Sequence, residues 1–168
     1  MNIIYREATA LDAEALLLHL HSVGAETDNL TFGGDSFNIS PEREGRFISR
    51  FASTDGDIML VALDGERVVG NAIIEHNRIP RLSHRAELSV TVLRDWWGRG
   101  IGKRLIEMLL DFSRQAGHEV ITLTVRADNE RAISLYERVG FVTVGRMKSY
   151  FKINGVRHDA LLMEYYLT

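Results

Sequence analysis

The chain has no cysteine among its 168 residues, only two prolines and no long apolar run. Without cysteine there is no disulfide framework, no thiolate metal site and no cysteine nucleophile, so a covalent mechanism through a thiol is excluded. No apolar stretch approaches the roughly 18 residues that span a bilayer, and the first residues lack the basic and apolar regions of a signal peptide. We therefore expect a cytoplasmic protein with no membrane partner.

Positive charge is not in excess either, since 20 basic residues stand against 23 acidic ones and the formal net charge is −3. This balance argues against a nucleic-acid partner, because a broad nucleic-acid-binding surface carries an excess of cations. No Gly/Ser-rich or charged linker divides the chain, and its length fits one domain of roughly 100–200 residues. We therefore expect a single domain over residues 1–168, with enough hydrophobic residues to form its core.

Helical periodicity and turn signals organise the first part of the chain. They predict a strand over 2–8, a helix over 10–23, an irregular loop over 24–38, and a helix that begins at Ser40-Pro41 and ends near Ser53. The apolar residues near helical spacing in the first helix are Leu11, Ala15, Leu18 and Val23. The loop between the helices is long enough to close over a site.

The rest of the chain alternates between strand and helix patterns. Asp64-Gly65 between two β-rich runs predicts a hairpin. In the strand over 86–92, the residues alternate so that one face carries Leu88, Val90 and Val92 and the other carries Glu87, Ser89 and Thr91. Beyond it the pattern predicts helices over 101–116 and 129–139, and strands over 119–125, over 141–152 and up to about 167. The predicted fold class is α/β with a mixed sheet.

A glycine-rich turn lies between the strand over 86–92 and the helix that follows it. Its glycines are Gly98, Gly100 and Gly102, and its charged residues are Arg94, Asp95, Arg99, Lys103 and Arg104. Glycines let the backbone approach a ligand closely, and the free N–H groups at a helix N-terminus attract phosphate oxygens. The spacing fits neither a dinucleotide fingerprint nor a P-loop, since both require glycines at positions that hold other residues here. The turn therefore predicts a local anion site of another kind.

Two segments carry a resemblance to a known family. Gly98-Arg99-Gly100-Ile101-Gly102 resembles the acetyl-CoA diphosphate loop of the GNAT N-acetyltransferase superfamily, and the segment from Asn129 to Phe141 resembles the N-x-x-A-x-x-L-Y-x-x-x-G-F signature of that superfamily. The resemblance implies an α/β fold with a mixed, mostly antiparallel sheet flanked by helices. One departure is Trp97, which stands where the family usually has glutamine or arginine.

The resemblance also implies acetyl-CoA as cosubstrate and a set of residues that bind it. These are Thr91, Val92, Gly98, Arg99, Gly100, Ile101, Gly102, Lys103, Asn129 and Tyr136. The backbone N–H groups near Thr91 and Val92 would polarise the thioester carbonyl, and Asn129 would contact the pantetheine arm while it caps its helix. No metal is expected, because no histidine pair has ligand spacing supported by carboxylates.

Direct acetyl transfer to a primary amine in a ternary complex is the reaction that the resemblance implies. Tyr136 would protonate the departing thiolate, although its place in step with Ala132 and Val139 also fits a core tyrosine. Glu87 would act as base, and a carboxylate that is only solvated or ion-paired beside Arg85 is the equally weighted alternative. An ordinary carboxylate and a lysine-like amine differ by about six pKa units, roughly 8 kcal/mol, so a raised pKa, a water chain or an α-amine acceptor is required.

Other functions stay open at this point. A non-catalytic sensor of acyl-CoA has the same fold, and a nucleic-acid-binding domain could use the cations of 94–104. The acceptor amine is a small molecule or a protein amine. Its expected walls are the loop over 24–38 and the turn over 153–157, and the acidic loop residues Glu26, Asp28 and Asp35 favour a cationic acceptor. A homodimer is left open.

Overall fold

The computed structural model describes residues 2–167, in which strands and helices alternate as an α/β domain. The strands are β1 Ile4–Glu7, β2 Ile58–Asp64, β3 Arg67–His76, β4 Arg85–Val92, β5 Val120–Arg126, β6 Val142–Ile153 and β7 Val156–Tyr166. The helices are α1 Ala13–Glu26, α2 Pro41–Ala52, α3 Ile101–Ala116 and α4 Glu130–Val139. None of these described helices is both long and apolar enough to cross a bilayer.

The seven strands form a single sheet in the order β1-β2-β3-β4-β5-β7-β6. Its neighbouring pairs are antiparallel except for β4 and β5, which run parallel. The predicted mixed, mostly antiparallel sheet flanked by helices is therefore confirmed. The parallel pair requires a crossover, which α3 supplies.

Local signals set the helix ends. The Ser40 hydroxyl accepts the Arg43 amide at 3.2 Å at the start of α2, and Asn129 Oδ1 accepts the Ala132 amide at 3.2 Å at the start of α4. Gly117, with a φ of 81°, ends α3 in the left-handed conformation that glycine adopts without strain. These are the positions at which the sequence predicts caps.

Two buried clusters cover the two faces of the sheet. Neighbouring β2 residues point to opposite faces, and Leu60 packs in the cluster with α3 and α4 whereas Met59 packs with α1 and α2. The helix residues buried on the first face include Ile101, Leu105, Ile106, Leu109 and Tyr136, and those on the second include Leu16, Leu20, Ile48 and Phe51. The sheet is therefore covered by helices on both faces.

The prediction for the apolar face of α1 is right for Val23, which is buried, and for Ala15, which packs against the core, but wrong for Leu11 and Leu18. Leu11 is 95% exposed and Leu18 is 65% exposed, whereas the buried apolar side chains are Ala13, Leu16, Leu17, Leu20 and Val23. Because the segment has three consecutive leucines, Leu16 to Leu18, more than one apolar face has helical spacing. Packing against the sheet decides which of these faces is buried. The helix also continues to Glu26, so the loop that the sequence places at 24–38 runs over 27–40.

Strands β4 and β5 separate after a short paired stretch. They pair only from Arg85 to Glu87 on β4 and from Val120 to Thr122 on β5. Beyond these residues β4 continues to Val92 and remains paired with β3, while β5 remains paired with β7. The backbone edges that face each other across this gap are left without a strand partner, and the gap opens the sheet toward the glycine-rich turn.

Candidate active site

A cleft of about 850 Å³ lies at the gap between β4 and β5. It is bounded by the end of β4, the glycine-rich turn, α3, α4 and the loop over 27–40. The residues predicted from the sequence that line it are Glu87, Thr91, Val92, Gly98, Gly100, Ile101, Gly102, Lys103, Asn129 and Tyr136. The fold therefore brings together all but one of the predicted site residues.

The glycine-rich turn presents free amides to this cleft. Gly98 and Gly100 have φ values of 73° and 80°, a conformation that strains any residue with a side chain. The first helical hydrogen bond of α3 runs from the Arg104 amide to the Gly100 carbonyl at 2.9 Å. The preceding amides of Ile101 to Lys103 thus have no helical carbonyl to bind, and the helix dipole makes them attractive to an anion.

Arg99 is the predicted site residue that does not line the cleft. Its guanidinium lies 4.9 Å from the centroid of the Trp96 ring and donates to the Asp95 carbonyl at 3.0 Å. Its charge still contributes to the positive potential around the turn. Lys103 does line the cleft, and its ammonium lies 3.6 Å from the Glu107 carboxylate one turn along α3.

Trp97 connects the turn to β4 and α4. Its indole N–H donates to the Val92 carbonyl at 2.8 Å. The Arg131 guanidinium lies 4.2 Å from the ring centroid and the Arg94 guanidinium lies 5.7 Å from it. Trp97 therefore replaces the polar side chain usual in the family with an indole that fixes the end of β4, a role that sequence reasoning missed.

The ladder between β3 and β4 orients the β4 amides at the gap. The Leu93 amide donates to the Val69 carbonyl at 3.0 Å, and directly opposite pairs in an antiparallel ladder alternate between bonded and non-bonded. Because β3 and β4 remain in register here, the Thr91 amide faces β3 and the Val92 amide faces the gap. Of the two predicted amide donors, Val92 is the one that points into the cleft.

A buried histidine supports Thr91 from α1. His19 Nε2 lies 2.8 Å from Thr91 Oγ1, and His19 Nδ1 lies 3.2 Å from the Val68 carbonyl. Since a carbonyl only accepts, Nδ1 carries the proton and the Thr91 hydroxyl donates to Nε2. Burial lowers the pKa of His19 to about 4, so the ring is neutral at physiological pH. The pair ties α1 to the floor of the cleft.

Tyr136 is both a core residue and a wall of the cleft. It is 8% exposed and packs edge to face against Phe141, with ring centroids 5.8 Å apart. Burial raises the pKa of Tyr136 to about 12, and no charged group of the described chain contributes to this shift. The hydroxyl is therefore protonated at neutral pH.

Asn129 likewise combines a structural role with a place at the cleft. Its side-chain oxygen caps α4, as the sequence predicts, and the residue also lines the cleft. The side-chain amide nitrogen is not used by the cap. It is therefore available as a donor to a bound molecule.

Glu87 lies at the last position where β4 and β5 pair, and its side chain is exposed and lines the cleft. Of the two forms of the alternative role, the ion pair with Arg85 is wrong, because Arg85 forms its ion pair with Glu164 on β7, whereas a solvated carboxylate agrees with the exposed side chain. Directly opposite Glu87 on β3 lies Glu75, which pairs with Arg50 at 2.9 Å. The Glu87 carboxylate thus faces the cleft without a cation bound to it among the described residues.

The loop over 27–40 covers the cleft opposite α4 and packs closely on α1. A Cβ atom at Gly24 would lie 2.6 Å from the Gly33 carbonyl carbon, so only glycine permits this approach. Phe32 and Phe37 from the loop line the cleft and meet edge to face, with centroids 4.8 Å apart. The loop therefore lines the cleft, and its role as a wall of the acceptor site stays a prediction.

Two other expectations about the walls change. The predicted turn over 153–157 does not line the cleft, and the neighbouring residues Tyr150 and Phe151 do. Of the acidic loop residues, only Glu26 reaches the cleft, where its carboxylate accepts the Arg94 amide at 2.9 Å. Within residues 2–167, no group of three or more histidine and acidic side chains is arranged to hold a metal ion.

Comparison with known proteins places this geometry in a family. The family model described as Acetyltransferase (GNAT) family matches residues 25–141. The N-alpha-acetyltransferase RimI of Mycobacterium tuberculosis is 39% identical over 103 residues, which are 61% of this chain and 61% of that protein. The chain thus covers about three fifths of that relative. The L-amino acid N-acetyltransferase AaaT of Escherichia coli is 35% identical over 116 residues, 68% of this chain and 71% of the relative.

A solved structure agrees over nearly the whole chain. The GNAT-family acetyltransferase from Streptococcus pneumoniae superposes with a TM-score of 0.94 at 29% identity, covering 98% of this chain and 99% of that one. The matched family segment includes the gap, the glycine-rich turn and α4, which are the elements that form the cleft. From its sequence and its fold, the chain belongs to the GNAT family of acetyltransferases.

Proposed function

We propose that the protein transfers the acetyl group of acetyl-CoA directly to a primary amine of a small molecule or a protein, in a ternary complex, and that residues 1–168 act as a single catalytic domain. The observation that carries the proposal is the gap between β4 and β5. It opens between an anion-binding turn on one side and an acidic, partly apolar wall on the other. A nucleophile and a thioester can meet there without any covalent enzyme intermediate.

The diphosphate of acetyl-CoA fits the amides of Ile101 to Lys103. A negative group there would meet the dipole of α3 and the nearby charges of Lys103 and Arg131, both of which line the cleft. When bound, acetyl-CoA supplies the activated acyl group. Asn129 would donate its side-chain amide to the pantetheine arm, and the left-handed conformations of Gly98 and Gly100 keep the turn close enough for backbone contact.

The Val92 amide is our choice for the group that polarises the thioester carbonyl. It faces the gap, whereas the Thr91 amide is used in the ladder with β3. A donor held in a strand needs no reorganisation when charge develops on the carbonyl oxygen. The Trp97 indole on the Val92 carbonyl restrains the same residue.

Tyr136 is the proposed acid. A pKa of about 12 keeps its hydroxyl protonated at neutral pH, so the hydroxyl can donate a hydrogen bond to the thiolate as it leaves. This bond stabilises the thiolate, whose ordinary pKa of about 8.5 is too low for it to take the proton completely from a group of higher pKa. Its position on α4, buried on one side and open to the cleft on the other, fixes the ring without blocking access.

Glu87 is the proposed base, acting through water. Its carboxylate is exposed to solvent at the edge of the cleft, so a water chain can take the proton from the ammonium form of the acceptor. An α-amine, with a pKa near 8, requires less help than a lysine-like amine near 10.4. The relatives named N-alpha-acetyltransferase and L-amino acid N-acetyltransferase support including α-amines among the candidates.

The experiment that tests this proposal is a screen for CoA release with acetyl-CoA and a panel of amines, amino acids and peptides with free N-termini. Mass spectrometry of the acceptor would then locate the acetyl group on nitrogen. Release that depends on both acetyl-CoA and an amine supports catalysis. Tight acetyl-CoA binding without transfer to any amine would favour the non-catalytic sensor instead.

A further inference from the structure

Glu44, in the first turn of α2, is a buried carboxylate that no described residue neutralises. It is 3% exposed, yet it lines the cleft described above. Within residues 2–167, neither a cation nor a hydrogen-bond donor is assigned to its side chain, and burial alone raises the pKa of this carboxyl group. A carboxylate that is largely withdrawn from water and has no protein partner costs folding free energy, and a cation bound in the cleft would offset this cost.

The cleft wall on the side of Glu44 is largely apolar, with Asn71 of β3 as a polar member. The cleft residues contributed by α1, α2, β2, β3 and the loop beside it include Leu16, Leu20, Phe37, Phe47, Met59 and Ile73. We refer to these six residues together with Glu44 as the acceptor pocket. Because apolar walls exclude water, a positive charge brought into the acceptor pocket would interact strongly with the carboxylate.

Charge is distributed unevenly between the two sides of the cleft. The cations that line it are Lys103, Arg131 and Arg138, all from α3 and α4. The lining residues described on the other side contain no cation, and Glu26 there is already bound to the Arg94 amide. One side therefore suits the anionic cosubstrate and the other suits a cationic acceptor.

Glu44 stands to one side of the proposed reaction centre. Helix α2 packs against α1 and β2, and β2 is two strands away from β4. At the usual strand spacing this is a displacement of roughly 10 Å across the sheet from the strand that carries Val92. A carboxylate held there would bind a second cationic group of the acceptor rather than the nitrogen that attacks the thioester.

A purely structural role, as a negative charge at the N-terminus of α2, does not account for this burial. Glu42 in the same turn already supplies such a charge and is exposed to solvent. The Glu44 side chain lines the cleft, which a charge serving only the helix end does not require. Its placement is better explained by a ligand.

We propose that Glu44 selects the acceptor, and that the acceptor is an aliphatic amine with a second positive charge, such as a diamine. The assignment rests on the proposed acetyltransferase function and names its substrate class. The Glu44 carboxylate binds the distal ammonium group, and the apolar walls hold the aliphatic chain that connects it to the reacting amine. Free α-amino acids are disfavoured, because their carboxylate would meet no cation in the acceptor pocket.

The test compares diamines with monoamines of the same length: putrescine with butylamine, and cadaverine with pentylamine. For the wild-type protein we expect kcat/KM to be at least about tenfold higher for the diamine, a preference of the size that one charge contact supplies. Glu44→Gln keeps the side-chain shape and should bring this ratio close to one. Glu42→Gln, the exposed neighbour, should retain the full preference.

Equal rates for diamine and monoamine in the wild type, or a preference that survives in Glu44→Gln, would overturn the assignment. The wild-type ratio does not depend on whether a variant folds. If no amine is acetylated, the proposed function fails, and calorimetric titration with cadaverine and pentylamine still decides the role of Glu44. Tighter cadaverine binding that is lost in Glu44→Gln supports the assignment, whereas equal binding or none contradicts it.

Discussion

The indole N–H of Trp97 donates to the Val92 carbonyl at 2.8 Å, and so links the glycine-rich turn to the strand end that borders the gap. The same ring lies beneath the Arg131 guanidinium at 4.2 Å. One side chain therefore joins the turn, β4 and α4 at the mouth of the cleft. Trp97 therefore holds both Val92, the proposed donor to the thioester carbonyl, and Arg131, one of the proposed phosphate-binding cations.

Replacing Trp97 by phenylalanine should separate these two contacts. Trp97→Phe keeps a ring for Arg131 but removes the hydrogen bond to Val92, so we expect kcat to fall several-fold while the KM for acetyl-CoA changes little. The lost bond should lower the free energy of unfolding by about 1 kcal/mol. Trp97→Ala, which also removes the ring, should raise the KM for acetyl-CoA as well. Steady-state kinetics of the two variants check this, and identical kinetic changes in both would contradict it.

Gly100→Ala should weaken acetyl-CoA binding. The residue has a φ of 80°, and although its Cβ would meet open space, an L-residue in this conformation costs about 1–2 kcal/mol or moves the turn. Gly65→Ala is a matched control, since Gly65 has a φ of 58° and equally open space in the β2–β3 hairpin. Both variants should lose similar stability in denaturant titrations. Only Gly100→Ala should reduce acetyl-CoA affinity in calorimetry, and an equal affinity for both would argue against the anion site.

His19 should make the fold sensitive to acid. Its pKa is lowered from 6.5 to about 4 by burial, so the unfolded chain takes up a proton more readily than the folded one between these values. The contribution of neutral His19 to the free energy of unfolding is fully present above pH 6.5. It is lost as pH falls toward 4, which lowers the free energy of unfolding by up to about 3 kcal/mol. His19→Gln removes this titration, and its unfolding free energy should vary less over the same range. Parallel pH profiles for both proteins would contradict the assignment.

Glu87→Gln should slow the reaction without weakening the fold, because the side chain is exposed. We expect kcat to fall by about tenfold or more, with a changed pH–rate profile, since the proposed route for the acceptor proton is lost. Glu75→Gln is the matched control: Glu75 lies directly opposite on β3, and its exposed pair with Arg50 contributes at most about 1 kcal/mol. A Glu87→Gln enzyme as fast as Glu75→Gln would remove Glu87 from the mechanism.

The sequence predicts the elements of this fold well where the signals are local. Ser40, Asn129 and Gly117 cap helices as expected, and the glycine-rich turn lies between a strand and a helix. The predicted hairpin forms too, but its turn is Gly65-Glu66, one residue later than expected, because Asp64 pairs with Arg67. Each of these depends on residues that are neighbours in the chain. Much of the cleft could therefore be predicted, because its proposed cosubstrate side is formed by one continuous segment and α4.

The acceptor side could not be predicted in the same way, because it is formed by contacts between distant parts of the chain. The sequence does not reveal that α1 buries Leu16 rather than Leu18, that His19 meets Thr91 on β4, or that Glu44 is buried. An acidic residue in a first helical turn is ordinarily a solvated charge, and only the packing of α2 turns Glu44 toward the cleft. The same holds for Trp97, whose role requires the end of β4 beside it.

The central claim, acetyl transfer with Tyr136 as the acid, is tested most directly by comparing wild type with Tyr136→Phe. Phenylalanine keeps the ring and its contact with Phe141 but has no hydroxyl proton to give. With the amine that the wild type accepts, we predict a fall in kcat of about a hundredfold or more, with acetyl-CoA affinity in calorimetry nearly unchanged. A variant that binds acetyl-CoA and releases CoA at the wild-type rate would contradict this role for Tyr136 and the mechanism built on it.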